Sequence, residues 1–317
     1  MTGPLLVTGG TGLLGSALRQ AVPQALFLSS ADGDLRDIGV AQRIFSALRP
    51  SRVIHLAARV GGVKENAAEN TAFLEDNALI NAAVLSAARR ARVPKLTALL
   101  SSCAFPLFTD RPTTESDLQS SAPYQGNAGY GYAKRMLDVH IRMVAAEEGF
   151  DWSTLTPVTM YGPHDSFDAD SGHVVGSLIR RCWEAKTGGT PFTVWGSGRA
   201  VRQFVFVRDV ARLIVHGMDR SLGPATTIVA PDEGITIKTL AESIAQTMAY
   251  SGPILFDHTQ PEGVPVKRLR SGRFMSQFPG FQFTGLREGL TETVRWFVRD
   301  REQKAERPVQ PSLCRQS

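Results

Sequence analysis

Three short stretches of the chain carry side chains that can move hydride and protons. Tyr130 and Lys134 lie four residues apart, so on a helix they share one face. A phenol titrates at about pH 10, and a neighbouring ammonium favours the phenolate, so this pair could exchange a proton with a carbonyl near neutral pH. Ser101, at the end of an apolar run, could give the same oxygen a second hydrogen bond. The grouping predicts reduction of a carbonyl by hydride transfer.

Cys103 and His173 could add a second kind of chemistry to the same site. A thiol and an imidazole can take protons from carbon and return them where a neighbouring carbonyl acidifies the C–H bond. Taken alone, such a cysteine is more typical of a small buried side chain, and such a histidine of a helix N-terminus. An isolated Tyr-x-x-x-Lys is likewise more typical of a surface pair. The chemistry therefore depends on the elements that position these residues.

Those elements are predicted by an alternation of short apolar runs with segments of helical period. The apolar runs are Leu5 to Thr8, Ala25 to Leu28, Val53 to Leu56 and Leu96 to Ser101, and the helical segments include Leu13 to Ala21, Val40 to Leu48 and Phe73 to Ala91. Alternating strands and helices are typical of α/β proteins whose parallel sheet is covered on both faces. The sequence therefore predicts an α/β fold.

The first predicted strand leads into a glycine-rich turn with the spacing Gly-x-x-Gly-x-x-Gly. Glycines let the backbone turn tightly and approach a pyrophosphate at the N-terminus of the following helix. The position of the turn between a strand and a helix favours dinucleotide binding over a purely structural turn. The predicted cofactor-binding residues in this turn are Gly9, Thr11, Gly12, Leu13, Leu14 and Gly15.

The choice between NAD and NADP depends on residues after the second strand, which meet the adenosine ribose. The segment Ser29-Ser30-Ala31-Asp32 has neither an acidic nor a basic residue right at the strand end, so it leaves this choice open. Asp37 either lies beside the adenine or caps the next helix, and both interpretations stand. Ala57, in the small-residue end of the third strand, is expected where the backbone passes close to a cofactor, or where a strand end is tightly packed.

Several motifs together make the chain similar to the extended short-chain dehydrogenases/reductases, and within them to the GDP-L-fucose synthase family. The motifs are Val60-Gly61-Gly62, Ser101-Ser102-Cys103-Ala104-Phe105-Pro106, Tyr130 with Lys134, Tyr161-Gly162-Pro163-His164-Asp165, His173-Val174, Trp195-Gly196-Ser197-Gly198 and Arg202-Gln203-Phe204. The resemblance runs from the glycine turn to about residue 297. It implies a Rossmann-type doubly wound parallel sheet with a smaller C-terminal substrate-binding lobe, and a homodimer.

The resemblance also implies an activity. It is the NADPH-dependent 3,5-epimerisation and 4-reduction of a GDP-4-keto-6-deoxy sugar, with GDP-4-keto-6-deoxy-D-mannose giving GDP-L-fucose as the first expectation. Cys103 and His173 match the family's base and acid, while Tyr130, helped by Lys134 and Ser101, protonates the new alkoxide. The residues expected to bind substrate are Arg181, Trp195, Arg202 and Lys267, with packing of the lobe as the alternative for Trp195.

Departures from the family pattern leave the exact substrate and cofactor open. Ser29, Ser30 and Ala31 stand where family members carry basic residues for the 2′-phosphate, so NADPH is expected but NADH is not excluded. Thr159-Met160 replace an asparagine before Tyr161, which allows a related GDP-4-keto sugar such as a heptose or a colitose precursor. Whether one or both of C3 and C5 are inverted also stays open. A simple nucleotide-sugar 4-reductase and, outside enzymes, a dinucleotide-sensing regulator are compatible with part of the pattern as well.

Composition narrows the class of protein further. The 317 residues have a formal charge of +5 with dispersed basic residues, which suits an anionic small substrate as well as nucleic acid, and no basic stripe interleaved with aromatics predicts nucleic-acid binding. Three cysteines without metal-ligand spacing predict neither disulfides nor a zinc site. No secretory signal or membrane span is predicted, so a cytoplasmic enzyme is expected.

The predicted domains follow the same pattern. They are an NADP(H)-binding Rossmann domain over 1–160, a mainly substrate-binding lobe over 161–301 with late strands near 203–230 returning to the first domain, and a polar tail over 302–317.

Overall fold

A computed structural model describes residues 3–169, 172–260 and 262–306. The strands are β1 Leu5–Thr8, β2 Leu26–Leu28, β3 Arg52–His55, β4 Lys95–Leu99, β5 Asp151–Pro157, β6 Thr159–Tyr161, β7 Phe192–Trp195, β8 Val201–Arg202, β9 Phe204–Phe206, β10 Thr227–Val229, β11 Ile235–Thr236 and β12 Ile254–Asp257. The helices are α1 Leu13–Ala21, α2 Ile38–Leu48, α3 Val63–Ala68, α4 Asn70–Arg90, α5 Ala128–Glu148, α6 Val174–Gly188, α7 Val207–Gly217, α8 Ile237–Thr247, α9 Phe274–Gln277 and α10 Leu286–Glu306.

The central sheet has six parallel strands in the order β10-β5-β4-β3-β1-β2. From β1 the chain first moves to one edge at β2 and then crosses to β3 on the other side. This reversal makes the sheet doubly wound, as predicted. In such sheets ligands bind at the carboxyl ends of the strands, where the order reverses. The turn after β1 and the segments after β3 and β4 therefore border the expected site.

The two halves of the molecule have separate hydrophobic cores. The sheet core gathers apolar residues of β1, β3, β4 and β5 with those of the covering helices, including Leu6, Ile54, Leu96 and Trp152. Each β4 side chain is buried, because both faces of the strand are covered. Helices α2, α4 and α5 pack side by side, and α1 packs against α7. These contacts fix the carboxyl end of β4 beside the first turn of α5.

The second core lies in the C-terminal part and joins α6, α8 and α10 to short strands. Its buried members include Leu178, Phe192, Leu240 and Phe297. Pairs β7-β12 and β6-β9 are parallel, and β8-β11 is antiparallel. Among the late strands β10 pairs with β5 in the central sheet, whereas β9 pairs with β6. The chain thus passes between the two cores more than once.

The C-terminal helix α10 extends further along the chain than the composition suggests. Helix α10 continues through residues 302–306, which the sequence places in a polar tail. Residues 307–317, with Cys314, lie outside the described residues. Within the described part of the chain, no helix has the length and apolar character needed to cross a membrane.

Candidate active site

The glycine turn after β1 is shaped for an anion at the start of α1. Gly9 has φ +73°, a left-handed conformation that favours glycine. A Cβ atom on Gly15 would lie 2.4 Å from the Gly9 carbonyl oxygen, so this glycine is required for close packing of helix on turn. A Cβ on Gly12 would have only that same oxygen within 4 Å, at 3.6 Å. Open space beside the N-terminus of α1 therefore fits a diphosphate.

The strand beside the turn is held by a buried polar chain. The Thr8 hydroxyl accepts hydrogen bonds from the backbone N–H groups of Leu56 and Ala57, which places the Ala57 backbone against Gly9. The Nδ1 atom of His55 lies 2.8 Å from the Thr8 hydroxyl oxygen. Its Nε2 atom lies 3.1 Å from the Asn81 amide oxygen. Burial and the nearby charge of Lys134 lower the pKa of His55 to about 3, so its imidazole is neutral.

The other predicted cofactor residues divide into exposed and buried groups. Thr11 is exposed at the mouth of the turn and Leu13 is half-buried, whereas the Leu14 side chain lies in the sheet core. Leu14 can therefore meet a cofactor only through its backbone. Asp37 accepts from the N–H of Gly39 at 2.6 Å and thus caps α2, the second of the two interpretations offered by the sequence.

An acidic side chain, Asp32, lies four residues beyond the end of β2. Asp32 accepts hydrogen bonds from both the backbone N–H and the hydroxyl of Ser29, at 2.7 and 2.8 Å, and these bonds lower its pKa. The Gly10 N–H donates to the Leu28 carbonyl, so this strand end borders the glycine turn. A carboxylate therefore stands where the adenosine ribose of a dinucleotide is expected.

Ser101, Cys103 and Tyr130 come together beyond β4. The strand ends at Leu99, two residues earlier than predicted, because Ser101 caps a short 3-10 turn by accepting the Cys103 N–H at 3.1 Å. The Ser101 hydroxyl lies beside the Tyr130 phenol and acts to lower its pKa. A Cβ on Gly131 would lie 2.6 Å from the Cys103 carbonyl oxygen, so glycine next to Tyr130 lets α5 approach this turn.

Tyr130 and Lys134 share one face of α5, but burial governs their protonation. Lys134 is 3% exposed and donates to the Leu99 carbonyl at 2.9 Å, and burial lowers its pKa to about 8. Burial and the nearby Cys103 raise the pKa of Tyr130, which the Ser101 hydroxyl offsets only in part. The expected phenolate near neutral pH is therefore not what the structure favours. It favours a neutral phenol, which can donate a proton.

His173 stands at the N-terminus of α6 with a carboxylate behind it. Its Nδ1 lies 3.0 Å from Asp165 Oδ1, and the imidazole is 40% exposed while the Asp165 side chain is 2% exposed. The hydrogen bond to Asp165 raises the pKa of His173, against the effect of burial. The Asp165 carboxylate thus stabilises the imidazolium, which is an acid.

Basic residues predicted to bind substrate lie in the lobe and reach different partners. Lys267 donates to the Cys103 sulfur at 3.5 Å, so this residue joins the lobe to the turn after β4. Arg181 lies over the Trp195 ring at 3.8 Å and donates to the Ala169 carbonyl. Arg202 donates to the Val201 carbonyl at 2.8 Å, and burial lowers its pKa.

The structure adds residues that sequence reasoning missed. The Lys64 ammonium, at the start of α3, lies 3.9 Å from the Trp195 ring centroid and so crosses from the nucleotide half to the lobe. Gly131 and Asp165 lie within the family's motifs, but the sequence suggested no role for them. The glycine between two tyrosines was a usable signal for close backbone approach, whereas no local pattern links Asp165 to His173 or Lys64 to Trp195. Among the described residues, no group of three or more acidic, histidine or cysteine side chains could hold a metal.

A doubly wound sheet with a glycine turn after β1 and a Ser101–Tyr130–Lys134 group after β4 defines the class of short-chain dehydrogenases/reductases. The model of the NAD dependent epimerase/dehydratase family matches residues 5–229, so the chain belongs to this family. Within it, the chain belongs with the GDP-L-fucose synthases.

That placement rests on relatives aligned over nearly their whole length. GDP-L-fucose synthase of Dictyostelium discoideum is 32% identical over 303 residues, covering 93% of this chain and 95% of the relative. The synthase of Escherichia coli K12 is 31% identical and covers 94% and 97%. The crystal structure of a GDP-L-fucose synthetase from Naegleria fowleri bound to NADP has a TM-score of 0.88 and 35% identity, covering 95% and 94%. The predicted family is confirmed.

Proposed function

We propose that the chain is an NADPH-dependent 3,5-epimerase/4-reductase that converts GDP-4-keto-6-deoxy-D-mannose into GDP-L-fucose. The observation that carries this proposal is the grouping after β4. Ser101, Cys103 and Tyr130 lie together there, and Lys267 of the lobe contacts the cysteine sulfur. A ketone reductase of ordinary type has no use for a thiol beside its proton donor. A thiol next to the tyrosine supports proton transfer at carbon in the same site.

The epimerisation requires a base and an acid, because the C4 ketone acidifies the hydrogens on C3 and C5. Cys103, acting as the thiolate, takes this proton onto its sulfur and leaves an enolate. His173 returns a proton to the same carbon from the opposite face, which inverts the centre. The partner of each residue supports its role. The Lys267 ammonium donates a hydrogen bond to the Cys103 sulfur, and the Asp165 carboxylate lies 3.0 Å from the His173 imidazole.

The reduction uses two residues of α5, Tyr130 and Lys134. The glycine turn and Lys134 would hold NADPH, which would supply the hydride for C4. Tyr130 donates its phenolic proton to the oxygen on C4, and Ser101 orients that oxygen. The protonated Lys134 stabilises the phenolate left behind. A neutral phenol before the step is what this direction of reaction requires.

The GDP part of the substrate is anionic, and the lobe offers cations to it. Arg181 and Arg202 are the proposed diphosphate ligands, because guanidinium groups bind phosphate oxygens in bidentate geometry. Trp195, with Arg181 on its ring, is proposed to border the nucleotide. Because Lys267 contacts the Cys103 sulfur, we propose that it lies nearer the sugar than Arg181 and Arg202 do. A lobe over 161–301 that carries these residues remains our domain proposal.

We also propose a homodimer. Helix α5 has a stripe of exposed apolar side chains with spacings of four, three and four residues, namely Tyr132, Met136, Val139 and Met143. They line an apolar groove of about 420 Å³ shared with α4. An exposed apolar stripe beside a groove is typical of a surface buried in an assembly. We propose the cytoplasm as the site of action, where NADPH and nucleotide sugars are available to a biosynthetic enzyme.

The test is a turnover measurement with GDP-4-keto-6-deoxy-D-mannose and NADPH, with products identified by NMR. We expect GDP-L-fucose from the wild type. The Cys103→Ser variant should reduce the sugar with inversion lowered on the order of 100-fold or more, the range for loss of a general base. Cys182→Ala, which removes a buried thiol in the lobe core, is the matched control. Reduction without inversion by the wild type would leave a simple 4-reductase, and no NADPH oxidation would reject this substrate.

A further inference from the structure

Asp165 is placed in an unusual way for a residue of an exposed loop. It follows β6 by four residues, and its side chain is 2% exposed. Oδ1 accepts the Ser166 N–H at 2.8 Å and lies 3.0 Å from His173 Nδ1. Within the described residues Oδ2 is buried and has no hydrogen-bond partner. The carboxylate therefore has one neutral donor and one imidazole to offset the loss of its hydration.

A buried carboxylate with so few donors constrains the imidazole beside it. Desolvating an anion is costly unless a cation or several donors compensate. His173 can compensate only by donating from Nδ1, so the neutral tautomer with hydrogen on Nδ1 and the imidazolium are both favoured. In each of these forms Nδ1 is occupied. Nε2 is then the nitrogen left to exchange protons, and the ring is exposed enough for it to meet a substrate.

We propose that Asp165 is the positioning residue for His173 and selects Nε2 as its proton-donating nitrogen. The inference rests on the proposed function. In the inverting step the Nε2–H bond breaks and a C–H bond forms with the electron pair of the enolate. The imidazole left behind is neutral and keeps hydrogen on Nδ1, held by Asp165. The proton taken from carbon stays on the Cys103 sulfur, so no oxidant or reductant takes part.

The competing explanation is that Asp165 only shapes its loop. Its backbone N–H donates to the Gly162 carbonyl at 3.3 Å, and the preceding residue, His164, has φ +68°. A loop of this kind uses an aspartate for local hydrogen bonds as well. A test must therefore separate proton transfer at carbon from the general integrity of the site.

Two half-reactions provide that separation. Exchange of C3 and C5 hydrogens of GDP-4-keto-6-deoxy-D-mannose in D2O, followed by NMR without NADPH, reports Cys103 and His173. Oxidation of GDP-L-fucose by NADP⁺ reports Tyr130 and Lys134. In Asp165→Asn we expect exchange to fall about 10- to 100-fold, as for carboxylates that orient histidine ligands, with oxidation of GDP-L-fucose unchanged. Asp168→Asn, an exposed carboxylate of the same loop, is the matched control and should leave both reactions unchanged.

A double variant checks the route of the effect. In a His173→Gln background, Asp165→Asn should lower exchange no further, because the histidine it positions is gone. An added loss there would overturn the proposal. Equal losses of exchange and oxidation in Asp165→Asn would make the role structural, and normal exchange would overturn it as well.

Two safeguards keep the outcome clear. If Asp165→Asn does not fold, Asp165→Glu replaces it, because glutamate keeps the charge but displaces the carboxylate. Selective loss of exchange in Asp165→Glu supports the proposal. Normal exchange in that variant contradicts it. Failure of the proposed function would look different, because the wild type itself would then show no exchange.

Discussion

The two acid groups of the site are controlled in opposite ways. On α5 of the nucleotide half, burial lowers the pKa of Lys134 to about 8 and raises that of Tyr130. At the edge of the lobe, the pKa of His173 is raised although burial acts to lower it, because Asp165 is its hydrogen-bond partner. Burial sets protonation where a group lacks an opposite charge, and a partner charge overrides burial where one is present.

The largest expected effect comes from removing the phenolic proton donor of α5. Tyr130→Phe should lower NADPH oxidation by about 100- to 10,000-fold, since the alkoxide loses its general acid. Exchange of C3 and C5 hydrogens in D2O should persist, because it depends on the other region. Tyr132→Phe, an exposed tyrosine on the same helix, is the control and should retain reduction. Loss of exchange and reduction together in Tyr130→Phe would break the separation of the two regions.

A smaller effect is expected from removing the Lys267 ammonium, which contacts Cys103. Lys267→Met removes the ammonium 3.5 Å from the Cys103 sulfur and should lower exchange on the order of 10-fold, the value of one charge-assisted hydrogen bond of about 1.5 kcal/mol. Arg268→Met, an exposed neighbour, controls for charge in the same segment. If Lys267 serves only the diphosphate, the variant will raise KM for the GDP-sugar and leave exchange at saturation unchanged.

The pH dependence of the redox step tests whether burial sets the protonation of Lys134. Lys134 loses its proton as pH rises through about 8, so the rate of NADP⁺-linked oxidation of GDP-L-fucose should change with a limb near that pH. Arginine stays protonated throughout this range, so Lys134→Arg should abolish the limb even if the rate is lower. The measurement is the pH profile of kcat under saturating cofactor. An unchanged limb in Lys134→Arg would assign it to another group.

The smallest expected effect concerns the cofactor. Asp32→Ala removes a carboxylate from the loop after β2 and frees the Ser29 hydroxyl, so KM for NADPH should fall severalfold relative to that for NADH, about 1 kcal/mol for an exposed charge. Asp34→Ala, a carboxylate held by Arg36, is the control. Equal changes for both cofactors would show that Asp32 does not face the 2′-phosphate.

Much of the nucleotide half was predictable because its signals are local. The strand–glycine–helix order predicted β1 and α1 with their observed bounds, and the tyrosine–lysine spacing predicted one helix face. Helix α2 begins two residues earlier than predicted because Asp37 caps it, a contact that the sequence allowed but did not decide. The candidate lobe residues were identified by resemblance to a family, since no periodicity marks them.

By itself the sequence determined the parallel α/β architecture, the glycine turn and the types of residue that could act, because periodicity and spacing act over a few residues. Only the tertiary structure decided their protonation and their partners. Lys267 reaches Cys103 from 164 residues away, and Tyr130 becomes a half-buried neutral phenol rather than a phenolate. Desolvation and charge pairing depend on which distant segments of the chain pack together, and no local sequence pattern encodes that packing.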